Sequence, residues 1–286
     1  SPTTATITVT PTVNGCVGTT SNYAITVNPT PTVIVSANAI YCNGDPILAS
    51  AFSSTPTGGT FAWTNSDPSI GLAASGTGNT PAFSAVNTSS AAVTATITVT
   101  PSANSCTGIP SSYTITVNPG ATANVPTNIT ECVGAFIPAS SFTSIPTAGT
   151  FSWTNSNTAI GLAASGSGNT PGFTTVNTTG APITATVSVT ATAGGCPGAV
   201  STYTITVNPI PAAPTAPGTS ICTNNSTTLT ATAPGGTYEW YDAATNGTLL
   251  FTGAAYTTPV LTSNTSYWVQ STINNCTSPR TQVDVT

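Results

Sequence analysis

The segment FAWTNSDPSIGLAASGTGNTPAFSAVNT, beginning at Phe61, returns as FSWTNSNTAIGLAASGSGNTPGFTTVNT, beginning at Phe151. The copies align without a gap at a shift of about 90 residues, the size of a small domain. The same shift relates Cys42 to Cys132, Cys16 to Cys106 and Cys106 to Cys196, and it lays residues 1–28 over 91–118. A chain with this period folds as a row of similar units, each in contact mainly with itself and its neighbours. Each copy ends in Val-Asn-Pro, at Val27-Asn28-Pro29, Val117-Asn118-Pro119 and Val207-Asn208-Pro209. Proline has no N–H and restricts the residue before it, so it stops a strand. Proline-rich sequence follows, most clearly PIPAAPTAPG at 209–218, the composition of a short, semi-rigid linker. Four segments are expected. Residues 1–28 are the C-terminal strands of a truncated preceding module. Residues 29–118 and 119–208 are two repeats, and 209–286 is a divergent third module that keeps Cys222 and Cys276.

Within each unit the pattern is that of strands. TATITVT at 94–100 and SYTITVN at 112–118 alternate strictly, with Ile97 and Val99 on one face and threonines on the other. A polar Cys/Gly/Pro loop joins them, which signals a hairpin. Helical periodicity is absent. Short strands at roughly 10-residue spacing in a module of about 90 residues predict an immunoglobulin-like β-sandwich. The expected fold class is therefore all-β, with tandem Ig-like sandwich modules in an elongated array. Alternation places Phe61 with Trp63, Phe151 with Trp153 and Tyr238 with Trp240 on inward strand faces, where each Trp is read as core.

Charge closes off much chemistry. The chain has 286 residues but a single basic side chain, Arg280, six acidic ones and no His. One cation cannot neutralise a phosphate backbone, so nucleic acid is excluded as a partner. Acid–base catalysis leans on His, Lys or paired carboxylates, which are nearly absent, and no enzyme is expected. No apolar run is long enough for a membrane helix, so no membrane insertion is expected. The abundance of Thr, Val and Ile argues for a folded β-protein with a hydroxyl-rich surface, not for disorder.

Individual motifs read as structural. SGTGNTP at 75–81, copied at 165–171, lacks the lysine and following helix of a phosphate loop and reads as a turn. A calcium site built into each module would recur at the repeat shift, but Asp45 becomes Ala135 and Asp67 becomes Asn157. No metal or cofactor is expected. Sequons at Asn87, Asn128, Asn177 and Asn246 follow from the richness in Asn and Thr. Trp268 is the exception among the tryptophans. Tyr267 and Val269 share the opposite strand face, so Trp268 points outward and, near Tyr241, could stack on a sugar ring.

Seven cysteines without His or a C-x-x-C pair predict structural disulfides in an oxidising, extracellular setting. Two pairings stay open. One bond per module gives Cys42–Cys106, Cys132–Cys196 and Cys222–Cys276, leaves Cys16 with a partner outside the fragment, and requires a modified first strand. In a plain Ig topology, however, Cys42 and Cys106 sit at opposite poles about 30 Å apart, beyond the ~7 Å a disulfide spans. Bonds from one module to the next, Cys42–Cys196 and Cys132–Cys276, then leave Cys16, Cys106 and Cys222 for further modules.

The two repeats resemble the PKD-like repeats of very large surface proteins in gliding Bacteroidota. They depart from the W-D-F-G-D-G-like strand of true PKD domains, with Trp63-Thr64-Asn65-Ser66 in its place. Residues 228–286, from LTATAPGGTYEWYD to TQVDVT, are similar to the Ig-like module found near the C-terminal sorting domain of such proteins. The resemblance implies an exported adhesin or surface filament and no activity. The expected role is a non-catalytic stalk and adhesive surface on the bacterial cell. Its partners are neighbouring modules, together with surface glycans or other copies of itself. The competing readings are carbohydrate-binding modules of a secreted hydrolase and the subunit of a self-assembling extracellular fibre, since Thr-rich edges without Lys are open to pairing.

Overall fold

A computed structural model describes residues 1–233 and 235–286. Among the described residues the regular structure is strand, interrupted by 3-10 turns at Pro68–Ile70 and Thr158–Ile160, with no α-helix. In the first repeat one sheet runs, in spatial order, Ser75–Thr77, Thr60–Asn65, Val93–Ala103, Ser111–Asn118 and Ala39–Cys42. The last pair is parallel, with Cys42 opposite Asn118. Over this sheet lie two short pairs, Thr32–Ile34 with Ser53–Thr55 and Pro46–Ile47 with Phe83–Ser84. The second repeat rebuilds the sheet from Ser165–Ser167, Thr150–Asn155, Ile183–Ala193, Ser201–Asn208 and Ile129–Cys132. The third module has Leu249–Thr252, Thr237–Tyr241, Thr265–Ile273 and Thr281–Val285 in one sheet, and Thr228–Thr230 with Ala255–Thr257 as a separate pair.

Alternation decides what is buried. Ala95, Ile97 and Val99 face inward and lose all solvent contact, as do Ala185, Val187 and Val189 in the copy. The intervening threonines pair hydroxyl to hydroxyl across strands, as in Thr94 with Thr116 at 2.9 Å and Thr184 with Thr206 at 3.0 Å. Such cross-strand pairs replace the charge pairs of a more ordinary sheet surface. Trp63 and Trp153 are buried, and Phe52 packs edge-on against Phe61 with centroids 5.7 Å apart. Trp240 is completely enclosed and donates from its indole nitrogen to the Gly253 carbonyl at 3.0 Å. Burial of an indole on this scale is worth about 3–5 kcal/mol against alanine.

By contact the described residues separate into two compact units. The first comprises Ser1–Thr122, Ile145–Gly149 and Thr192–Ala199; the second comprises Ala123–Ser144, Thr150–Ala191 and Val200–Thr286. The hairpin tip of the second repeat thus groups with the first repeat. In the first unit, Thr3–Val9 pairs with Ser21–Val27 in the register that Val93–Val99 keeps with Ser111–Val117. The apolar face of this hairpin is uncovered: Tyr23 is 55% exposed, whereas its counterpart Tyr113 is 4% exposed.

Candidate functional site

The cysteines occupy two recurring positions. Each long hairpin closes through two residues with positive φ, Asn14-Gly15, Asn104-Ser105, Gly194-Gly195 and Asn274-Asn275. This is the type I′ signature, whose twist matches that of the flanking strands. The residue after each turn is a cysteine, paired directly across the hairpin: Cys16 with Val13, Cys106 with Ala103, Cys196 with Ala193 and Cys276 with Ile273. The second position ends the short parallel strand. Cys42 lies opposite Asn118 and Cys132 opposite Asn208. Cys222 follows Ile221, whose N–H donates to the Thr286 carbonyl at 2.8 Å.

The bonds formed are Cys42–Cys196 and Cys132–Cys276, with Cα atoms 5.4 and 5.6 Å apart. The pairing within modules is therefore corrected. Cys42 sits at the end of Ser111–Asn118 where the chain leaves, and Cys106 sits before its start. Eight extended residues cover about 26 Å, so no local adjustment of a first strand brings these sulfurs together. Cys16, Cys106 and Cys222 carry free thiols, and the proposed Cys222–Cys276 bond is absent because Cys276 is already bonded.

A polar contact accompanies three of these four hairpins. The Val-Asn-Pro asparagine donates its side-chain amide to a carbonyl in the turn of the following hairpin. Asn28 reaches Asn104 at 3.3 Å, Asn118 reaches Gly194 at 3.4 Å and Asn208 reaches Asn274 at 3.5 Å. Two residues beyond each of these acceptors is the hairpin cysteine. The motif's proline stops the strand, and its threefold recurrence in the sequence is the sign of a junction role for the asparagine before it. Glycine is required beside the hairpin for a steric reason. A Cβ on Gly198 would lie 1.3 Å from the Ala121 carbonyl oxygen, and one on Gly108 would lie 2.1 Å from that of Pro31.

The outward sheet face of the third module gathers most of the remaining polar chemistry. Trp268 lies half-buried on this face, paired across strands with Tyr241 and Gln282. The two aromatics singled out from sequence are thus brought side by side. Tyr241 does not present an open ring, because the Arg280 guanidinium carbon stands 3.4 Å from its centroid. That cation is pinned by donation from Nε to Gln270 Oε1 at 3.2 Å and from Nη1 to the Ala243 carbonyl at 2.6 Å. Gln270 and the Tyr241 hydroxyl both donate to Glu239 Oε2, at 2.8 and 3.1 Å. Burial, then the hydrogen bond to Glu239, pushes the Tyr241 hydroxyl above its ordinary pKa. At the rim, Asp284 accepts from Ser266 and Gln282, which hold its carboxyl below the usual range.

The other motifs take structural positions. Gly76 and Gly166 lie against the Trp63 and Trp153 rings, and Asn79 and Asn169 accept the backbone N–H of Phe52 and Phe142. The S-G-x-G-N motif is therefore partly strand, shaped to the tryptophan beside it. Asp67 and Asn157 both cap a 3-10 turn by accepting from the second residue beyond, which explains their exchange between copies. Asn87 and Asn177 are buried sequons whose amides bond the Val117 and Val207 carbonyls, so neither is open to a glycan. Asn246 is exposed.

Comparison with known proteins finds two domain families in the chain. Residues 39–121 match the PKD-like domain family, and residues 211–286 match the family described as Ig-like domain, CHU_C associated. None of the curated proteins searched matches the chain. Among solved structures, the chain is similar to an I-band fragment of titin, at 8% identity and a TM-score of 0.44, covering 91% of this chain and 99% of that one. It is also similar to the immunoglobulin domains 1-5 of Sidekick-1, at 12% identity and a TM-score of 0.34, covering 90% of this chain and 59% of that one. A fragment of mouse cadherin-23 matches at 11% identity and a TM-score of 0.34, covering 90% and 98%. The chain carries tandem PKD-like and Ig-like β-sandwich modules.

Proposed function

We propose that these modules form the non-catalytic stalk and adhesive surface of an extracellular bacterial surface adhesin or filament. The observation that carries this reading is the pair of disulfides joining successive modules, Cys42–Cys196 and Cys132–Cys276. Such bonds persist in oxidising compartments outside the cytosol, and they stabilise the order of the repeats without building a reactive site. A neutral, hydroxyl-covered surface suits exposure to changing ionic strength, because there is little charge to screen. Partners in this reading are neighbouring modules, other copies of the chain and surface glycans. Immunogold labelling of intact producing cells tests it. Label at the outer surface, lost together with adhesion when the region is deleted, is expected. Label confined to the cytosol overturns it.

The outward face of the third module supports a second reading, a glycan-binding surface. Trp268 is flanked there by the amides of Gln270 and Gln282 and the carboxyl of Asp284. Stacking on a single indole gives weak binding, because Tyr241 is already capped by Arg280. Glycan-array signal that disappears in Trp268→Ala is the expected outcome, and an array without signal removes this reading.

A further inference from the structure

The disulfides bring distant residues close along the covalent framework. With Cys42 bonded to Cys196, only residues 197–221 separate Cys42 from Cys222 along the shortest covalent route. With Cys132 bonded to Cys276, only residues 107–131 separate Cys106 from Cys276. Each of these stretches spans no more than about 90 Å when fully extended. Segments 43–105 and 133–195 lie on neither route. They contain Trp63, Ile97, Trp153 and Val187, much of each repeat's core.

We propose that the repeats form a strain-limited tether. This rests on the stalk reading and adds its mechanics. Tension runs on two covalent rails, each alternating a last-strand-and-linker stretch with a disulfide. Where both rails are held at each end, the bodies of the modules are rungs between them and carry no load. The rails pass each other as the parallel pair Ala39–Cys42 and Ser111–Asn118, so both are drawn in the same direction. Under load the array reaches a short covalent limit, whereas ordinary tandem sandwiches release whole domains as slack.

Cys106 and Cys222 stand where the rails continue. Cys106 follows a type I′ turn and has the Asn28 contact beside it, as bonded Cys196 has Asn118 and bonded Cys276 has Asn208. Cys222 ends a parallel pairing, as bonded Cys42 and Cys132 do. Each pairs with a cysteine of a further module of this type. In that step two thiols release two protons and two electrons to a disulfide oxidant, which leaves as a dithiol, and one S–S bond forms.

Force spectroscopy on the full chain, held at its termini, tests the tether. Held at its termini, the oxidised chain crosses from one rail to the other through the body of the second repeat, so its shortest covalent route is 1–42, 196 back to 132 and 276–286, about 118 residues or about 400 Å, against about 1,000 Å when reduced. A limiting length about 2.5-fold greater with reductant is expected. C42S/C132S should reach the reduced length without reductant. An oxidised chain that stretches as far as the reduced one, or a C42S/C132S chain that stays short, overturns the proposal. Thiol-quenched peptide mapping of protein taken from producing cells tests the continuation. Cys106 and Cys222 in disulfide-linked peptides are expected, and alkylated Cys106 and Cys222 overturn continuous rails. The length measurement is made on oxidised purified chain and does not depend on where the cell places the protein, so its failure is separable from failure of the stalk reading.

Discussion

Asp67 and Asn157 perform one task with two chemistries. The Asp67 carboxyl accepts the Ser69 N–H at 3.0 Å, and hydrogen bonds from Ser69 hold its pKa below the ordinary carboxylate value. A depressed folded pKa means that the cap contributes fully above the unfolded value and is lost as pH falls through the folded one. Asp67→Asn should therefore melt like the parent near neutrality and lose less stability in acid, which thermal melts across the acid range would show. Asn157, with no proton to gain, already behaves this way. Gly76 is a packing requirement. A Cβ there would lie 2.2 Å from the Trp63 ring. Gly76→Ala should cost about 1–3 kcal/mol by overpacking, and denaturant unfolding with Trp fluorescence would report it.

At the scale of elements, the hairpin does more than connect two strands. Its type I′ turn places a cysteine and offers a carbonyl to the preceding module's asparagine. Ser105 holds φ at 63°, a strained value for a residue with a Cβ. Ser105→Gly should stabilise the first repeat by about 1 kcal/mol through relief of that strain, read as a shifted denaturation midpoint. Asn118→Ala removes the contact to Gly194 and should cost about 1 kcal/mol. The sequence displayed alternation, turns and the tryptophan strand openly, because each depends on local period and local φ. The amide contact of Asn118 was hidden, since its acceptor at Gly194 lies a full module away.

For the whole molecule, covalent topology dominates stability. Each bond closes a loop on the order of 150 residues, and chain entropy assigns about 5 kcal/mol to such a closure. Reductant should therefore lower the melting temperature markedly, whereas raising salt to molar levels should shift it by less than about 2 °C, because so few charges are present to screen. Calorimetry with and without reductant and salt checks both.

The repeat period, the all-β pattern, the inward tryptophans and the outward Trp268 were determined by the amino-acid order alone, because each follows from spacing along a strand. The partner of each cysteine and the fate of Tyr241 were not. Cys42 has candidate partners in its own module and in the next, and only the parallel docking of Ala39–Cys42 beside Ser111–Asn118 puts it at the exit pole, within reach of Cys196. Arg280 reaches the Tyr241 ring because strand pairing sets Thr237–Tyr241 and Thr281–Val285 on either side of Thr265–Ile273. Both outcomes depend on which strands become neighbours in space, a choice made by the packing of the assembled sheets.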